Sequence, residues 1–498
     1  MNGRTFCGRA KGWTPCPMSD LRPARPRHAW VPPERDRGHD FEDDADGGTA
    51  AAAPAVSLDD ERLLPTGPLE WFAVAQTAIP GLLYLPGMQA FRAPIRIGVY
   101  AIALVGFWIW WISGDKRRVR HPADPWLLWV LLCLSIMILH PLTNSLAAGA
   151  GQTGLYLAIF CPLFWAPGFI SRPRQLVRIL AILLVCNGLN SVVGVLQVYD
   201  PDRWMPRELS SFITSNATAM QVATYTGPDG RRIIRPPGLF DTPGAVCGAG
   251  TIAALLGLIF ALQPFAWWKR GLALGLSLAG VSAIYLSYVR ANMVVTVGMM
   301  GVYAAMLLLR GDRRRFIEFS SLGVGLVIVG LTVSTALGGQ SIAERFGTLL
   351  GEDPTRLYYS SRGQQIEEGF NTLVVEYPFG AGLARWGMMR NYFGNPGHLD
   401  STALWAEVQP NAWILDGGWP LLFFYGAALV ATVMYQWRLF RLLRHTDDWY
   451  WTAAVSAANM GTLALVFSFV PFATQVGMQF WFLEGVLHGA MMSRLPRD

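Results

Sequence analysis

The chain has 498 residues, of which 52% are hydrophobic and only 15% charged, with a net charge of +6. Soluble domains carry about 25% charged residues, so this composition excludes an ordinary water-soluble globule. The basic residues sit in short clusters beside apolar stretches, which is a topology signal and not a nucleic-acid patch. Of the six cysteines, Cys133, Cys161, Cys186 and Cys247 fall in or beside apolar stretches. Cys7 and Cys16 have neither a second pair nor a histidine at ligand spacing. No disulfide framework and no metal site is expected.

Residues 1–66 are rich in Pro, Arg, Asp, Gly and Ala. They cannot bury enough apolar surface to offset the entropy of ordering, and are expected to form a disordered cytoplasmic tail. They lack the apolar core of a secretory signal. From 67 to 498 the chain is expected to form one membrane domain. A spanning helix needs about 20 mostly apolar residues. Candidate stretches lie near 69–87, 95–113, 126–142, 152–170, 176–198, 241–263, 271–288, 291–309, 320–339, 411–435, 451–471 and 475–492. Pro80 and Pro86 interrupt the first. The stretches at 271–288 and 291–309 are joined by almost nothing and read as a hairpin with a tight bend. The fold class expected is all-α, a polytopic membrane helix bundle of about twelve spans.

Lys and Arg gather in short cytoplasmic loops. With the N-terminus inside, the basic clusters at Asp115–Arg120, Arg172–Arg174, Lys269-Arg270, Arg310–Arg315, Arg438–Arg444 and the Arg494/Arg497 tail all fall inside. Arg92 is the one exception, in a short outside loop. Two longer loops fall outside, at about 200–240 and 340–409. In a bacterial inner (cytoplasmic) membrane that face is the periplasm. The 340–409 loop is expected to contain short helices and to form part of an active site.

That loop carries Arg345, Arg356, Arg362, Arg385 and Arg390. Arg362 opens a helical pattern from Gly363 to Tyr377, in which Ile366, Phe370, Leu373, Val374 and Tyr377 form one apolar stripe. A guanidinium fork matches a phosphate bidentately and stays charged, so Arg362 reads either as a phosphate ligand or as a solvated loop arginine. Arg235 opens Arg235-Pro-Pro-Gly-Leu-Phe-Asp-Thr-Pro-Gly244, whose prolines and glycines fix a rigid return into the membrane. On its own it reads as an arginine snorkelling to the headgroups. Arg290 lies either at membrane depth, facing a cavity or partner, or at the interface where two spans end. Asp416, Glu484 and His140 interrupt apolar runs, either as functional groups or as satisfied polar residues of a bundle.

Taken together, these motifs resemble one family. Ser361-Arg362, a helix, Glu376-Tyr-Pro-Phe-Gly-Ala-Gly-Leu383, then Asn411 with a Gly-Gly-Trp-Pro turn opening the next span, resemble the O-antigen ligase and O-antigen (exopolysaccharide) polymerase superfamily. Members are polytopic, type-C-like membrane glycosyltransferases. Arg235-Pro-Pro-Gly-Leu-Phe-Asp-Thr-Pro and Leu286-Ser-Tyr-Val-Arg290 fit two further positions. The resemblance covers about 230–430 by motif and leaves out the tail. It implies a glycan donor on undecaprenyl diphosphate at the periplasmic face, attacked by a hydroxyl of a glycan, lipid or protein acceptor. It implies no cofactor, no metal and no nucleic acid. Membrane lipid and other polysaccharide assembly proteins are the further partners expected. It carries over Arg362 as the loop arginine and Arg290 and Arg235 as the arginines near the membrane surface. The residues expected to bind the diphosphate are Arg235, Arg362, Arg385 and Asn411, and those expected to act in catalysis are Arg362, Arg290, Glu407 and His398.

One position departs from the pattern. Ligases of this family show a histidine before the asparagine that opens the span after the large loop, where this chain has Gln409-Pro410-Asn411. Glutamine cannot take a proton at neutral pH, so the base falls to His398, Asp400 or Glu407, or none is needed. The missing histidine favours the polymerase branch over an O-antigen or protein O-glycosylation ligase. A lipid-linked oligosaccharide flippase is the more distant alternative. Transporters place their sites at the midplane between internal repeats, whereas here no repeat is seen and the arginines gather at one face. A non-catalytic assembly or sensor protein would leave the motifs without a role.

Overall fold

The computed structural model describes residues 65–113, 120–170, 172–209, 220–221, 223–227, 229–351, 353–395, 397 and 403–494. The chain divides into two units, Met1–Ala55 and Val56–Asp498, and the described residues belong to the second. Residues 1–64 of the predicted tail, His398 and Asp400 lie outside the described residues.

Helices occupy each of the apolar stretches. They are α1 (Pro68–Gly81), α2 (Arg92–Ser113), α3 (Asp124–Met137), α4 (Leu146–Phe160), α5 (Pro162–Phe169) and α6 (Pro173–Tyr199). After a two-stranded antiparallel ribbon of β1 (Thr224–Thr226) and β2 (Arg232–Ile234) come α7 (Val246–Ala261), α8 (Trp267–Leu286), α9 (Arg290–Arg310) and α10 (Arg313–Gly338). Two short helices of the large loop follow, α11 (Gln340–Gly351) and α12 (Gly387–Phe393), with a helical run at 354–376 between them. The chain ends in α13 (Gln409–Leu442), α14 (Asp448–Leu465) and α15 (Gln475–Met491).

Six stretches among the described residues are long and apolar enough to cross a membrane: Met88–Ser113, Leu146–Phe169, Pro173–Tyr199, Arg290–Arg310, Arg313–Gly338 and Gln409–Leu442. Their outward side chains are also apolar. Ile109 and Trp111 on α2, Val324 and Ile328 on α10, and Val430 and Met434 on α13 are all exposed. Continuous exposed apolar surface of this kind belongs in lipid. The described residues form a helical membrane bundle with several spans.

The first apolar stretch does not run to residue 87. Its helix ends at Gly81, and 3-10 turns at Leu82–Tyr84 and Met88–Phe91 follow. Pro86 and the left-handed Gly87 (φ +80) do not continue an α-helix. The stretch at 152–170 is two helices, divided at Cys161-Pro162.

The bundle interior is polar where two hubs stand. Asp416, on α13, accepts from Tyr156 Oη at 2.8 Å, Trp386 Nε1 at 2.9 Å and Gln152 Nε2 at 3.1 Å. Glu484, on α15, accepts from Gln436 Nε2 at 2.5 Å and Asn459 Nδ2 at 3.2 Å, and lies 3.1 Å from His121 Nε2. Both carboxylates are fully buried. With their hydrogen bonds made, they tie helices together.

The Gly-Gly-Trp-Pro turn of the sequence is a break within α13, at Gly417 (φ −164°) and Gly418 (φ +61°). The Pro378–Leu383 turn docks onto it. Trp419 N–H donates to Pro378 O at 2.9 Å, and Ala381 N–H to Leu415 O at 2.7 Å. The two glycine motifs, separate in sequence, are the two halves of one backbone contact.

Candidate anion site

Arg235 follows β2, and its backbone is held on both sides. Its N–H donates to Ala223 O at 2.9 Å, and its carbonyl accepts from Gly244 N–H at 3.2 Å. The loop between is pinned by α6. Gln197 brackets Gly238, its Oε1 accepting from the Gly238 N–H at 2.8 Å and its Nε2 donating to the Gly238 carbonyl at 2.7 Å. Asn190 Oδ1 accepts from Leu239 N–H at 2.7 Å. Gly238 has φ +67, and a Cβ there would stand 2.1 Å from Asn190 Oδ1, so glycine is required. Further along, Asp241 pairs with Arg92 at 2.8 Å and Arg96 at 2.6 Å. Arg92, the exception to the charge pattern, is thus neutralised by the same loop.

The expected hairpin is α8 and α9, turned by Ser287-Tyr288-Val289. Tyr288 is the pivot, at φ +66. Its ring stacks on Tyr225 of β1, with centroids 5.0 Å apart and planes within 1°. Its hydroxyl donates to Ser341 O at 3.2 Å, and the Ser341 hydroxyl donates to Thr226 O at 2.7 Å. The start of α11 is thereby fastened to both the hairpin and the ribbon.

This fastening brings three arginines together. The guanidinium of Arg235 lies over the Tyr288 ring at 5.4 Å, and that of Arg345, on α11, at 5.1 Å. Arg290 opens α9, and its Nη1 donates to Thr348 Oγ1 at 2.8 Å, one turn along α11 from Arg345. Among the described residues, no carboxylate forms an ion pair with Arg235, Arg290 or Arg345. The Nε atoms of Arg235 and Arg345 are buried without a hydrogen-bond partner. Burial, and then the Arg345 charge, hold Arg235 below the ordinary arginine range. Burial, and then the Arg290 charge, do the same to Arg345. The fold therefore concentrates positive charge against a desolvation cost and mutual repulsion. An anion carrying more than one charge would relieve both.

A second pair of arginines on one ring gives an internal comparison. Arg310 and Arg315 lie over Tyr450 at 4.1 and 4.0 Å. There Asp312 supplies the counter-charge, accepting from Tyr450 Oη at 2.7 Å and lying 3.7 Å from Arg315 Nε. That group holds one carboxylate for its two arginines, whereas among the described residues the Tyr288 group has none paired to its arginines.

Arg362 is placed differently. The helical run does not begin at Gly363 but at Pro354, where Asp353 caps the first turn by accepting from Thr355 N–H at 2.9 Å. The Asp-Pro pair, a start signal, lies upstream of the apolar stripe. Arg362 falls in a π-helical turn, Tyr359–Gly363, and a second such turn spans Gly369–Leu373. Single π turns inside helices are uncommon and recur at functional sites. Arg362 forms a contact ion pair with Glu407, whose Oε2 also accepts from Gln365 Nε2 at 3.0 Å. Burial holds Arg362 below the ordinary arginine range.

Asn411 donates from Nδ2 to Gln365 O at 2.8 Å, and Oδ1 lies where a Cβ on Gly369 would come within 2.0 Å. It seats the 354–376 run on α13. Arg385 is buried, donating to Ala381 O at 3.1 Å and lying 5.9 Å from the Tyr377 ring. Gln409 is fully buried, and its Oε1 accepts from Phe472 N–H at 2.8 Å. Of the expected site residues, Arg235 and Arg290 share one cluster, and Arg362 and Glu407 form a separate pair. Arg345, Tyr288 and Thr348 were not singled out for the site. Tyr288 stands two residues before Arg290 in a quoted motif, and Arg345 was one of five loop arginines with nothing local to distinguish it. No protein-family model matches this chain, and no curated protein matches it.

Proposed function

We propose that this chain is a membrane glycosyltransferase that polymerises or transfers a glycan carried on undecaprenyl diphosphate, in the manner of the O-antigen ligase and polymerase superfamily it resembles. The observation that carries the reading is the cluster of Arg235, Arg290 and Arg345, which has no carboxylate counter-charge among the described residues. A diphosphate matches it in charge and in geometry, through paired guanidinium N–H donors. In the reaction an acceptor hydroxyl attacks the anomeric carbon, the bond from that carbon to the phosphate oxygen breaks, and the diphosphate leaves with the bonding pair. Charge grows on the leaving group, so arginines fixed in advance stabilise the transition state more than the ground state.

The acceptor proton goes to Glu407 in this reading. Gln409 cannot take it and is occupied by Phe472 N–H; Asp416 is buried under three donors. Glu407 is part-exposed and held beside Arg362 and Gln365. In the same reading the bundle crosses a bacterial inner membrane about twelve times, with the N-terminus cytoplasmic and the arginine cluster in the periplasmic leaflet. The absence of a ligase-type histidine favours the polymerase over the ligase.

Deleting the gene and analysing the lipid carrier tests this. Single repeat units accumulating on undecaprenyl diphosphate are the expected result for a polymerase. Full-length polymer stranded there identifies a ligase. A precursor trapped on the cytoplasmic side identifies a flippase and overturns the proposal.

A further inference from the structure

Tyr288 carries a cost that its sequence position does not explain. It and Ala384 are the two non-glycine residues with positive φ among the described residues. A Cβ is disfavoured in that region, and a side chain larger than hydrogen persists there only when its surroundings hold it. The place is the apex of a three-residue hairpin, where glycine would turn the chain at no such cost. What the side chain supplies is its ring. One contact stacks it on Tyr225, another fastens its hydroxyl to Ser341 O, and the guanidiniums of Arg235 and Arg345 both lie within cation–π reach. Two like charges that repel each other need an attractive element between them to hold position in the absence of ligand, and an aromatic quadrupole provides it without a carboxylate that would compete with an anion.

We propose that Tyr288 is a positioning residue of the anion site, keeping Arg235 and Arg345 poised and uncompensated until a diphosphate binds. This rests on the anion reading above. The phenol touches neither donor nor acceptor in this role. It acts through the two arginines, and the strained turn is retained because the ring is needed there. Phenylalanine would keep the quadrupole and the stack on Tyr225 and lose only the bond to Ser341. Leucine would keep apolar bulk and lose the quadrupole. Glycine would relax the backbone and lose the ring.

The test measures binding of inorganic pyrophosphate and of undecaprenyl diphosphate to the full-length detergent-solubilised protein, together with its ligand-free melting temperature. Tyr288→Phe should keep affinity within about two-fold. Tyr288→Leu should lose about ten-fold, the scale of two cation–π contacts. Tyr288→Gly should lose as much affinity while melting no lower than Tyr288→Leu, because its backbone strain is relieved. Wild-type affinity in the leucine and glycine variants would overturn the proposal. Arg345→Ala separates the two ideas. If it loses binding while Tyr288→Leu does not, the anion site stands and the role of Tyr288 falls. If Arg345→Ala binds as the parent does, both fall.

Discussion

Ala381 N–H donates to the carbonyl of Leu415 at 2.7 Å, fastening the Pro378–Leu383 turn to the last turn of helix before the break in α13. The large loop is therefore no free appendage. Its glycine-rich turn supplies backbone hydrogen-bond partners on both sides of the break in a membrane helix. Just before that break stands Asp416, which receives Trp386 from the same loop and Tyr156 from α4.

Gly418→Ala should disrupt this docking. Gly418 has φ +61, and a Cβ on it would stand 2.1 Å from Pro378 O. The expected loss is about 3 kcal/mol, the upper range for overpacking. Gly426→Ala, on the same helix with nothing within 4 Å of its Cβ, should leave stability nearly unchanged. Thermal unfolding in detergent, followed by tryptophan fluorescence, compares the two. Equal melting temperatures would show that the turn is not held at this contact.

Asp241→Ala should lower stability markedly. It would leave Arg92 and Arg96 without the carboxylate that pairs both. Removing one partner of a buried ion pair costs about 3–5 kcal/mol. Both arginines are part-exposed, which places the expectation at the low end. The double variant Arg92→Gln, Asp241→Asn should recover a measurable part of the lost melting temperature. No recovery would mean that Asp241 acts through Thr242 or the loop backbone instead.

Gln409→Ala should lower stability and spare chemistry. It deletes the acceptor of Phe472 N–H in a fully buried setting, at a cost of about 1–3 kcal/mol. Activity per folded molecule should stay close to the parent value. Nothing local in the sequence announces this bond, because the buried partner lies 63 residues away. Lost turnover at an unchanged melting temperature would give Gln409 a role in the reaction.

His140 should make stability depend on pH. Burial, and then the nearby Arg385 charge, hold its imidazole below the ordinary histidine range. Its Nδ1 accepts from Leu142 N–H at 3.2 Å, which requires that nitrogen to be unprotonated. The folded pKa lies below the unfolded one, so this stabilisation is complete above an unfolded value of about 6.5 and declines as pH falls towards the folded value. Melting temperatures from about pH 7.5 to about pH 5 should fall less steeply for His140→Gln than for the parent. Identical slopes would remove His140 as the titrating group.

The helices were legible because the signal is local. Twenty apolar residues in a row demand a helix in lipid wherever they occur, and the tight bend between α8 and α9 followed from the few residues left between two such runs. The start of the 354–376 run was misplaced because the apolar stripe begins well after the Asp353-Pro354 cap that starts the helix. The candidate site was half legible. Arg235, Arg290 and Arg362 stood out by residue type and by their motifs.

The sequence by itself determined that this is a helical membrane chain, where its helices lie, and that arginines gather in particular loops. Only the tertiary structure decided which of those arginines have counter-charges. Arg92 finds Asp241 and Arg362 finds Glu407, whereas Arg235, Arg290 and Arg345 gather around Tyr288 with no carboxylate paired to them among the described residues. The reason is physical. Hydrophobic patterning is read one residue after the next, but electrostatic balance is a property of space, and these partners are far apart along the chain until the helices pack.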